Sequence, residues 1–243
     1  MRITETIFDF AKLASEEKHR FFKLVCEFDQ HIFPDSCEEE IYNFVYDQDA
    51  VSVLVVHYYH KDTLVGQNII PVLKLSLEGQ PIFVVSYRAS ILPAYRKGNR
   101  TLKTAIRVAI NQRIRHPSIP LWFVPTIIQP KIYTYFASRS QNFFPRRCKE
   151  IPQQYLKVLQ MIQQRKSEVH KRREDIFVYP YVMPRTTPEH IQRLRNKATP
   201  HSNFFMQHVP DYFDGMGLLC ICKLDLPTIL ETVFNLFTGR KIY

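Results

Sequence analysis

The sequence contains no aspartate or glutamate between Gly79 and Lys149. These 71 residues include 13 lysines and arginines, whereas the other 172 residues hold 20 basic and 23 acidic side chains and sum to −3. The formal net charge of +10 therefore comes from one stretch, which we call the acid-free segment. A local excess of cations without acidic neighbours favours one anion-binding region over uniform nonspecific attraction.

Several further absences narrow the class of protein. Sequence repeats, low-complexity tracts and apolar runs of the roughly 20 residues that cross a bilayer are missing. The five cysteines lack zinc-ligand spacing and cannot all pair, so we expect free thiols and no metal. No secretory signal is visible at the N-terminus, which favours a cytoplasmic location. A chain that is 45% hydrophobic and 23% charged has enough apolar residues for a large core.

A strand, a turn and a helix are predicted inside the acid-free segment. Residues 81–92 are mostly apolar and β-branched, which predicts a buried strand that ends at Pro93. Apolar residues at spacings of three and four predict a helix from Asn99 or Arg100 to Arg115. The free N–H groups of its first turn would attract a phosphate, and nearby cations would add charged hydrogen bonds. The alternative is a solvated basic face on an ordinary surface helix.

The turn resembles the acyl-CoA-binding turn of the GNAT acyltransferase superfamily, whose pattern is Gln/Arg-x-x-Gly-x-Gly/Ala. With Arg96 on the first motif position, Asn99 and Thr101 stand where the family usually has small residues. Asn99 can still adopt a left-handed conformation, but Thr101 adds bulk where a phosphate would approach. Gly98, one position early, would shift the tight point of the loop.

The predicted order of elements supports the same resemblance over residues 1–147. It comprises strand 2–8, helices 15–33 and 37–44, strands 51–60, 64–77 and 81–92, the helix that begins at residue 99 or 100, strand 121–124 and helix 131–140. The implied fold class is mixed α/β (α+β), with a mainly antiparallel central sheet flanked by helices and a C-terminal extension. In that family the fourth and fifth strands splay apart, and residues 121–126 would form the fifth.

The resemblance also implies a cofactor site. Backbone groups of Ser90, Ile91 and Leu92 would meet the pantetheine arm of acetyl-CoA or a longer acyl-CoA. The pyrophosphate would bind the residues of the turn, which are Arg96, Lys97, Gly98, Asn99, Arg100 and Thr101. Tyr133 and Tyr135 are candidates for the acid that protonates the departing thiolate, although either could instead be a packing residue on a half-buried helix.

The implied reaction is direct attack of an amine on the acyl thioester in a ternary complex. Positioning and charge stabilisation would dominate its catalysis. No glutamate lies on the predicted fourth strand, so His57 and His60 are candidates for the base that deprotonates the amine. Their spacing places them on opposite faces of a regular strand, and surface histidines remain the alternative.

Beyond residue 147 the sequence exceeds a minimal acyltransferase core. We predict a helix over 152–173 with a strongly basic end, an edge strand over 176–183, a short helix over 189–197, strands over 203–210 and 217–224, and a helix over 227–237. The predicted division is an acyltransferase core at 1–147, a helical insertion or lid at 148–200, and 201–243 completing the same domain. The last helix would pack in the core or form the contact of a homodimer. A helix that lies at a membrane surface is the third possibility.

Three functions remain open from the sequence. The first is a CoA-dependent N-acyltransferase whose amine acceptor is unknown. The second is an N-acyl amino acid or autoinducer-type synthase that takes its acyl chain from an acyl carrier protein, because a basic rim suits an acidic carrier. The third is a noncatalytic nucleic-acid-binding protein, which the sequence pI of about 9.4 and the aromatic residues near the basic segment would suit.

Overall fold

The structure of the protein is a computed structural model that describes residues 2–96, 100–181, 189, 192 and 198–242. The chain forms two compact units: unit 1 is Met1–Ser76 with Pro81–Ile119, and unit 2 is Leu77–Gln80 with Pro120–Tyr243. Within the described part of the chain, every helix is too short or too polar to span a membrane. The predicted division at residues 147 and 200 stays a prediction.

The described residues of unit 1 form antiparallel strands and three α-helices. Its elements are β1 (Thr4–Asp9), α1 (Ser15–Ile32), α2 (Glu38–Val45), β2 (Ala50–His60), β3 (Thr63–Leu77), β4 (Gln80–Val85), β5 (Arg88–Ile91) and α3 (Arg100–Arg115). β2 pairs with β1 and β3, and β3 also pairs with β5. The predicted order of elements and the mixed α/β class are confirmed. The predicted single strand over 81–92 is wrong, because residues 86 and 87 separate β4 from β5.

The helices of unit 1 lie on opposite faces of its sheet. On one face, Val25 and Ile41 from α1 and α2 share a core cluster with Val55 and Ile69. On the other face, the Asn68 side chain donates to the Thr101 carbonyl in the first turn of α3 (2.9 Å). The apolar stripe of α3 is buried at Leu102, Ala105, Val108 and Ala109, as its 3.6-residue periodicity predicts.

The described residues of unit 2 form four α-helices and strands that belong to two sheets. Its elements are β6 (Leu121–Phe123), β7 (Thr126–Ile127), α4 (Pro130–Ala137), β8 (Phe143–Phe144), α5 (Gln153–Arg165), β9 (His170–Arg173), β10 (Ile176–Pro180), α6 (Pro200–His208), β11 (Met216–Leu219), β12 (Ile221–Lys223) and α7 (Leu226–Thr238). β12 pairs with β6 and β8, whereas β11 pairs with β7 and β10.

Several sequence predictions for unit 2 are wrong. The helix predicted over 152–173 ends at Arg165, and its basic end forms β9 because it pairs with β10. β10 has neighbours on both sides and is therefore not an edge strand. The stretches predicted as one strand over 121–126 and another over 217–224 each divide between the two sheets. The helix predicted over 189–197 falls largely outside the described residues.

The strand predicted over 203–210 is a helix instead. The start signals of α6 lie just before that stretch, where Thr199 is the N-cap and Pro200 follows it. The Thr199 hydroxyl accepts a hydrogen bond from the Ser202 amide (3.1 Å), and the Ser202 hydroxyl accepts one from the Thr199 amide (2.6 Å). This reciprocal capping favours a helix over the strand that its aromatic residues indicated.

Candidate functional site

Two arginines lie at the entrance to α3 without an acidic partner among the described residues. Arg96 is exposed, and its Nε donates to the Ile91 carbonyl (3.0 Å). Arg100 is half-buried in the first turn of the helix. The N–H groups of that turn are at the positive end of the helix dipole. This end of α3 can therefore bind an anion, although Lys97, Gly98 and Asn99 lie outside the described residues.

Other cations of the acid-free segment are neutralised by acids from elsewhere in the chain. The Arg107 guanidinium donates to Glu5 on β1 (2.7 Å). Arg88 makes a buried ion pair with Asp29 on α1 (2.6 Å). The expectation that the whole segment would hold unpaired charge is therefore corrected, since the fold supplies partners that the local sequence lacks. Arg96 and Arg100 at the start of α3 are among the cations that keep no acidic partner in the described residues.

Two of the backbone groups that the sequence assigned to a pantetheine arm, the Leu92 amide and the Ile91 carbonyl, have partners within the protein. The Ser90 hydroxyl donates to Asp29 (2.6 Å), and the Leu92 amide donates to the Val65 carbonyl (3.0 Å). The Ile91 carbonyl accepts the bond from Arg96 described above. Thr101 is half-buried in the first turn of α3. β5 thus connects directly to the entrance of α3 through Arg96, while the role of its backbone in cofactor binding stays a prediction.

A buried ionic network fixes β5 against α1, and sequence reasoning missed it. Arg88 donates from Nε and Nη2 to the two carboxylate oxygens of Asp29 (3.0 and 2.6 Å). Ser36 accepts from Arg88 (2.8 Å) and donates to Asp29 (2.9 Å), and Glu40 accepts from Arg88 (3.3 Å). Burial raises the pKa of the Glu40 carboxyl, while Arg88 acts in the opposite direction. An aspartate inside the apolar stripe of α1 was the available sequence signal.

An open groove of about 620 Å³ lies on the α1 face of the unit 1 sheet. Its lining is mainly apolar and aromatic, from Phe8, Phe21, Leu24, Phe28, Tyr59 and Leu64, with Glu27, His31 and His57 as its polar members. Glu27 is exposed and has no ion-pair partner among the described residues. The groove can therefore accept an apolar molecule that carries a positive charge.

His57 lies buried at the side of this groove. Its ring stacks on Phe21 (centroids 5.3 Å apart), and its Nδ1 lies 3.4 Å from the Tyr59 hydroxyl. Gln67 pairs with His57 in the strand register. The Oε1 atom of its side chain and the Nε2 atom of His57 nevertheless make no hydrogen bond. Burial lowers the pKa of His57 to about 4, so the ring is neutral at pH 7 and a weak base.

A row of side chains connects this groove with β5 across the sheet. Thr6 pairs with His57, His57 pairs with Gln67, and Gln67 pairs with Ser90 in the antiparallel registers. Directly paired residues project from the same face of a sheet, so the row lies under α1. His60 is separate from it, because its Nδ1 contacts the Arg2 carbonyl (3.1 Å) and its ring contacts Tyr95.

The two candidate tyrosines of unit 2 occupy different surroundings on α4. Tyr133 is fully buried, and its hydroxyl donates to the Pro145 carbonyl (2.7 Å). Burial raises the pKa of this phenol well above its usual value. Tyr135 is half-buried beside Phe136, with the Arg139 guanidinium 5.8 Å from its ring centroid. The Tyr133 hydroxyl is thus occupied within the protein, and the acid role of either tyrosine stays a prediction.

The strongly basic end predicted for the long helix lies on β9, whose four side chains are exposed. Arg172 there forms an ion pair with Asp211, which reduces the charge available to an acidic partner. Among the described residues, no three His, Cys, Asp or Glu side chains group as a metal site.

No family model matches the chain, and no curated protein matches it in sequence. Similar solved structures include an Enterococcus faecalis protein described as a probable N-acyltransferase, at 9% identity and a TM-score of 0.39. The match covers 58% of this chain but 33% of the Enterococcus protein.

Two further structures match a larger share of their own length. Escherichia coli ElaA is 17% identical over 59% of this chain and 88% of its own, with a TM-score of 0.38. An acyl-CoA N-acyltransferase from Pseudomonas aeruginosa is 12% identical over 60% and 93%, with a TM-score of 0.35. All three TM-scores are below 0.5, so these matches assign no family, activity or substrate to this chain. The resemblance of the turn and of the element order to the GNAT superfamily stays a prediction from the sequence.

Proposed function

We propose that the protein is an N-acyltransferase that binds an acyl thioester of CoA at the entrance to α3. The observation that carries this proposal is the pair of arginines, Arg96 and Arg100, at the start of a helix that follows β5. Neither has an acidic partner among the described residues, and the helix dipole adds to their positive potential. Phosphate oxygens would satisfy all of these donors together.

The acceptor amine would bind in the groove beside α1. Aromatic and aliphatic side chains there would hold the apolar part of the amine, and the Glu27 carboxylate would pair with its ammonium. The groove and Ser90 of β5 lie on the same face of the sheet, as the register row indicates. An acceptor in this groove would thus approach the strand that leads to the thioester site.

The reaction requires the ammonium to lose a proton before its nitrogen attacks the thioester carbonyl. The new C–N bond forms as the C–S bond breaks, and the thiolate leaves with a proton from water. His57 is poorly suited as the base, because its low pKa makes it hold a proton weakly at pH 7. We therefore assign deprotonation to a water molecule and give the protein the role of positioning.

The direct test is release of free CoA thiol when the protein is mixed with acetyl-CoA or longer acyl-CoAs and a panel of primary amines. We expect turnover with amines that carry an apolar group. Glu27→Gln should raise KM for the amine about tenfold and leave KM for the thioester unchanged, since it removes one charged hydrogen bond. Glu16→Gln, on the same helix but outside the groove, is the matched control.

An absence of turnover with every acyl-CoA would contradict this proposal. Turnover with acyl chains on an acyl carrier protein, but not on CoA, would instead assign the protein to the carrier-dependent synthases. Saturable RNA binding that is lost in Arg96→Ala, without any acyl transfer, would favour the nucleic-acid-binding alternative.

A further inference from the structure

Helix α7 of unit 2 exposes four large apolar side chains and buries two polar ones. Leu226, Leu230, Phe234 and Phe237 are 61, 59, 56 and 88% exposed. Their spacings of four, four and three place them along one side of the helix, which we call the α7 stripe. The fully buried residues of the same helix are Thr228 and Asn235. This is the reverse of the usual arrangement, in which an amphipathic helix turns its apolar side to the core.

Polar contacts explain why the helix takes this orientation. Asn142 donates to the Thr228 hydroxyl (2.8 Å), and Asn235 donates to the Arg139 carbonyl (2.9 Å). Glu231 accepts a hydrogen bond from the Gln141 amide (3.1 Å). Because these partners all belong to residues 139–142, one turn-rich segment holds the polar side of α7. Rotating the stripe inward would leave these buried polar groups without partners, which is costly.

The charges exposed next to the stripe are positive. Both carboxylates of this region face the protein: Glu231 through the contact above, and Asp225 by capping the Thr228 amide (3.0 Å). The residues that follow the helix, Arg240 and Lys241, are exposed and have no acidic partner among the described residues. The surface thus combines large apolar side chains with cations at one end, which suits an anionic, apolar partner.

The size of the stripe argues against a second copy of the chain as its partner. Four side chains at these exposures offer on the order of 500 Å². A stable dimer buries roughly 800 Å² on each partner.

We propose that the α7 stripe binds the surface of an anionic lipid membrane. The leucines and phenylalanines enter the boundary between headgroups and acyl chains, with the helix axis parallel to the membrane. Arg240 and Lys241 contact the phosphate groups at its C-terminal end. The proposal concerns unit 2 alone and holds whether or not the protein transfers acyl groups.

The test is sedimentation of the full chain with vesicles of phosphatidylcholine alone or with about one quarter phosphatidylglycerol. We expect the protein to bind the mixed vesicles and to bind the neutral ones at least tenfold more weakly. The variant Phe234→Ser with Phe237→Ser should weaken binding to the mixed vesicles at least tenfold although its charge is unchanged. This separates insertion from the simple attraction of a basic protein.

The matched control variants remove an exposed apolar side chain or two cations at positions away from α7. Ile114→Ser removes an apolar side chain that is 71% exposed on α3 and should bind like the parent protein. Arg240→Gln with Lys241→Gln should weaken binding several-fold, whereas Lys23→Gln with Arg115→Gln should have a smaller effect. The tryptophan introduced by Phe234→Trp should shift its fluorescence to the blue when the protein binds vesicles. Trp122, the natural tryptophan, is fully buried and should not contribute to the shift.

Equal binding by the parent protein and the double phenylalanine variant would overturn the proposal, as would a failure to bind either vesicle. Analytical ultracentrifugation supplies the competing outcome. A dimer of the parent protein that becomes a monomer in the phenylalanine variant would assign the stripe to a second copy of the chain.

Discussion

Arg88 and His57 are buried on the same face of the unit 1 sheet, but in opposite electrostatic surroundings. The guanidinium of Arg88 is bound in bidentate fashion by Asp29 and contacts two further acceptors. His57 has aromatic neighbours and stays neutral. The first residue therefore fixes β5 through charge, whereas the second contributes packing beside the groove.

Loss of the Asp29 charge should destabilise the protein strongly. Asp29→Asn leaves the Arg88 cation buried without its main counter-charge, so we expect the free energy of unfolding to fall by about 3–5 kcal/mol. Glu40→Gln, at a partly exposed position with one bond to Arg88, should cost about 1 kcal/mol. Urea denaturation of both variants measures the difference. Equal, small losses would show that the network contributes little to stability.

His57 should make stability depend on pH. Burial lowers its pKa from 6.5 to about 4 in the folded protein, so below pH 6.5 the unfolded chain binds a proton that the folded protein does not. Its contribution is complete above pH 6.5 and is lost progressively as the pH falls from 6.5 to about 4. Between pH 7.5 and 5 we expect a loss of about 2 kcal/mol from this group.

Comparison with His57→Leu isolates the contribution of His57, because all other titratable groups are present in both proteins. Urea denaturation at the two pH values gives the free energies of unfolding. The variant should lose about 2 kcal/mol less than the parent protein. An identical loss in both would contradict the burial of a neutral His57.

At the scale of elements, local signals predicted the elements whose partners are close in sequence. The hairpin of β2 and β3, and helices α1 and α2, follow from periodicity and a short polar turn. α6 and β9 could not be predicted in the same way. β9 exists because a basic stretch pairs with β10, and α6 begins at a capping motif outside the apolar run. The tertiary setting overrode local propensity in both places.

The same distinction applies to the candidate site. The sequence predicted the strand, the turn and the helix around Arg96, because charge and periodicity are local properties. It could not predict the Asp29–Arg88 pair, which joins residues 59 positions apart. The groove beside α1 likewise depends on how α1 crosses the sheet, which periodicity alone does not define.

The cap of α6 gives an element-scale prediction. Thr199→Ala removes the side-chain acceptor of the Ser202 amide, so we expect a loss of about 1 kcal/mol in the free energy of unfolding. Ser167→Ala, on an exposed connection, should change it by less than about 0.5 kcal/mol. Thermal or urea denaturation checks both. A neutral Thr199→Ala would argue against a capped helix at this point.

At the scale of the whole molecule, the distribution of charge matters more than its total. The acid-free segment contributes cations to both units, and the fold neutralises part of them with distant acids such as Glu5 and Asp29. Arg96 and Arg100 of unit 1 keep no acidic partner among the described residues, and the exposed cations beside α7 belong to unit 2. Two separate anionic partners, a thioester phosphate and a lipid surface, are therefore expected.

Calorimetric titration with acetyl-CoA and a longer acyl-CoA tests the central claim most directly. The parent protein should bind at least one of them, and Arg96→Ala and Arg100→Ala should each lose about 1.5–3 kcal/mol of binding free energy. Arg115→Ala, at the far end of the same helix, removes an equal charge and should bind normally. Binding that all three substitutions weaken equally, or the absence of binding to any acyl-CoA, would contradict a thioester site at the entrance to α3.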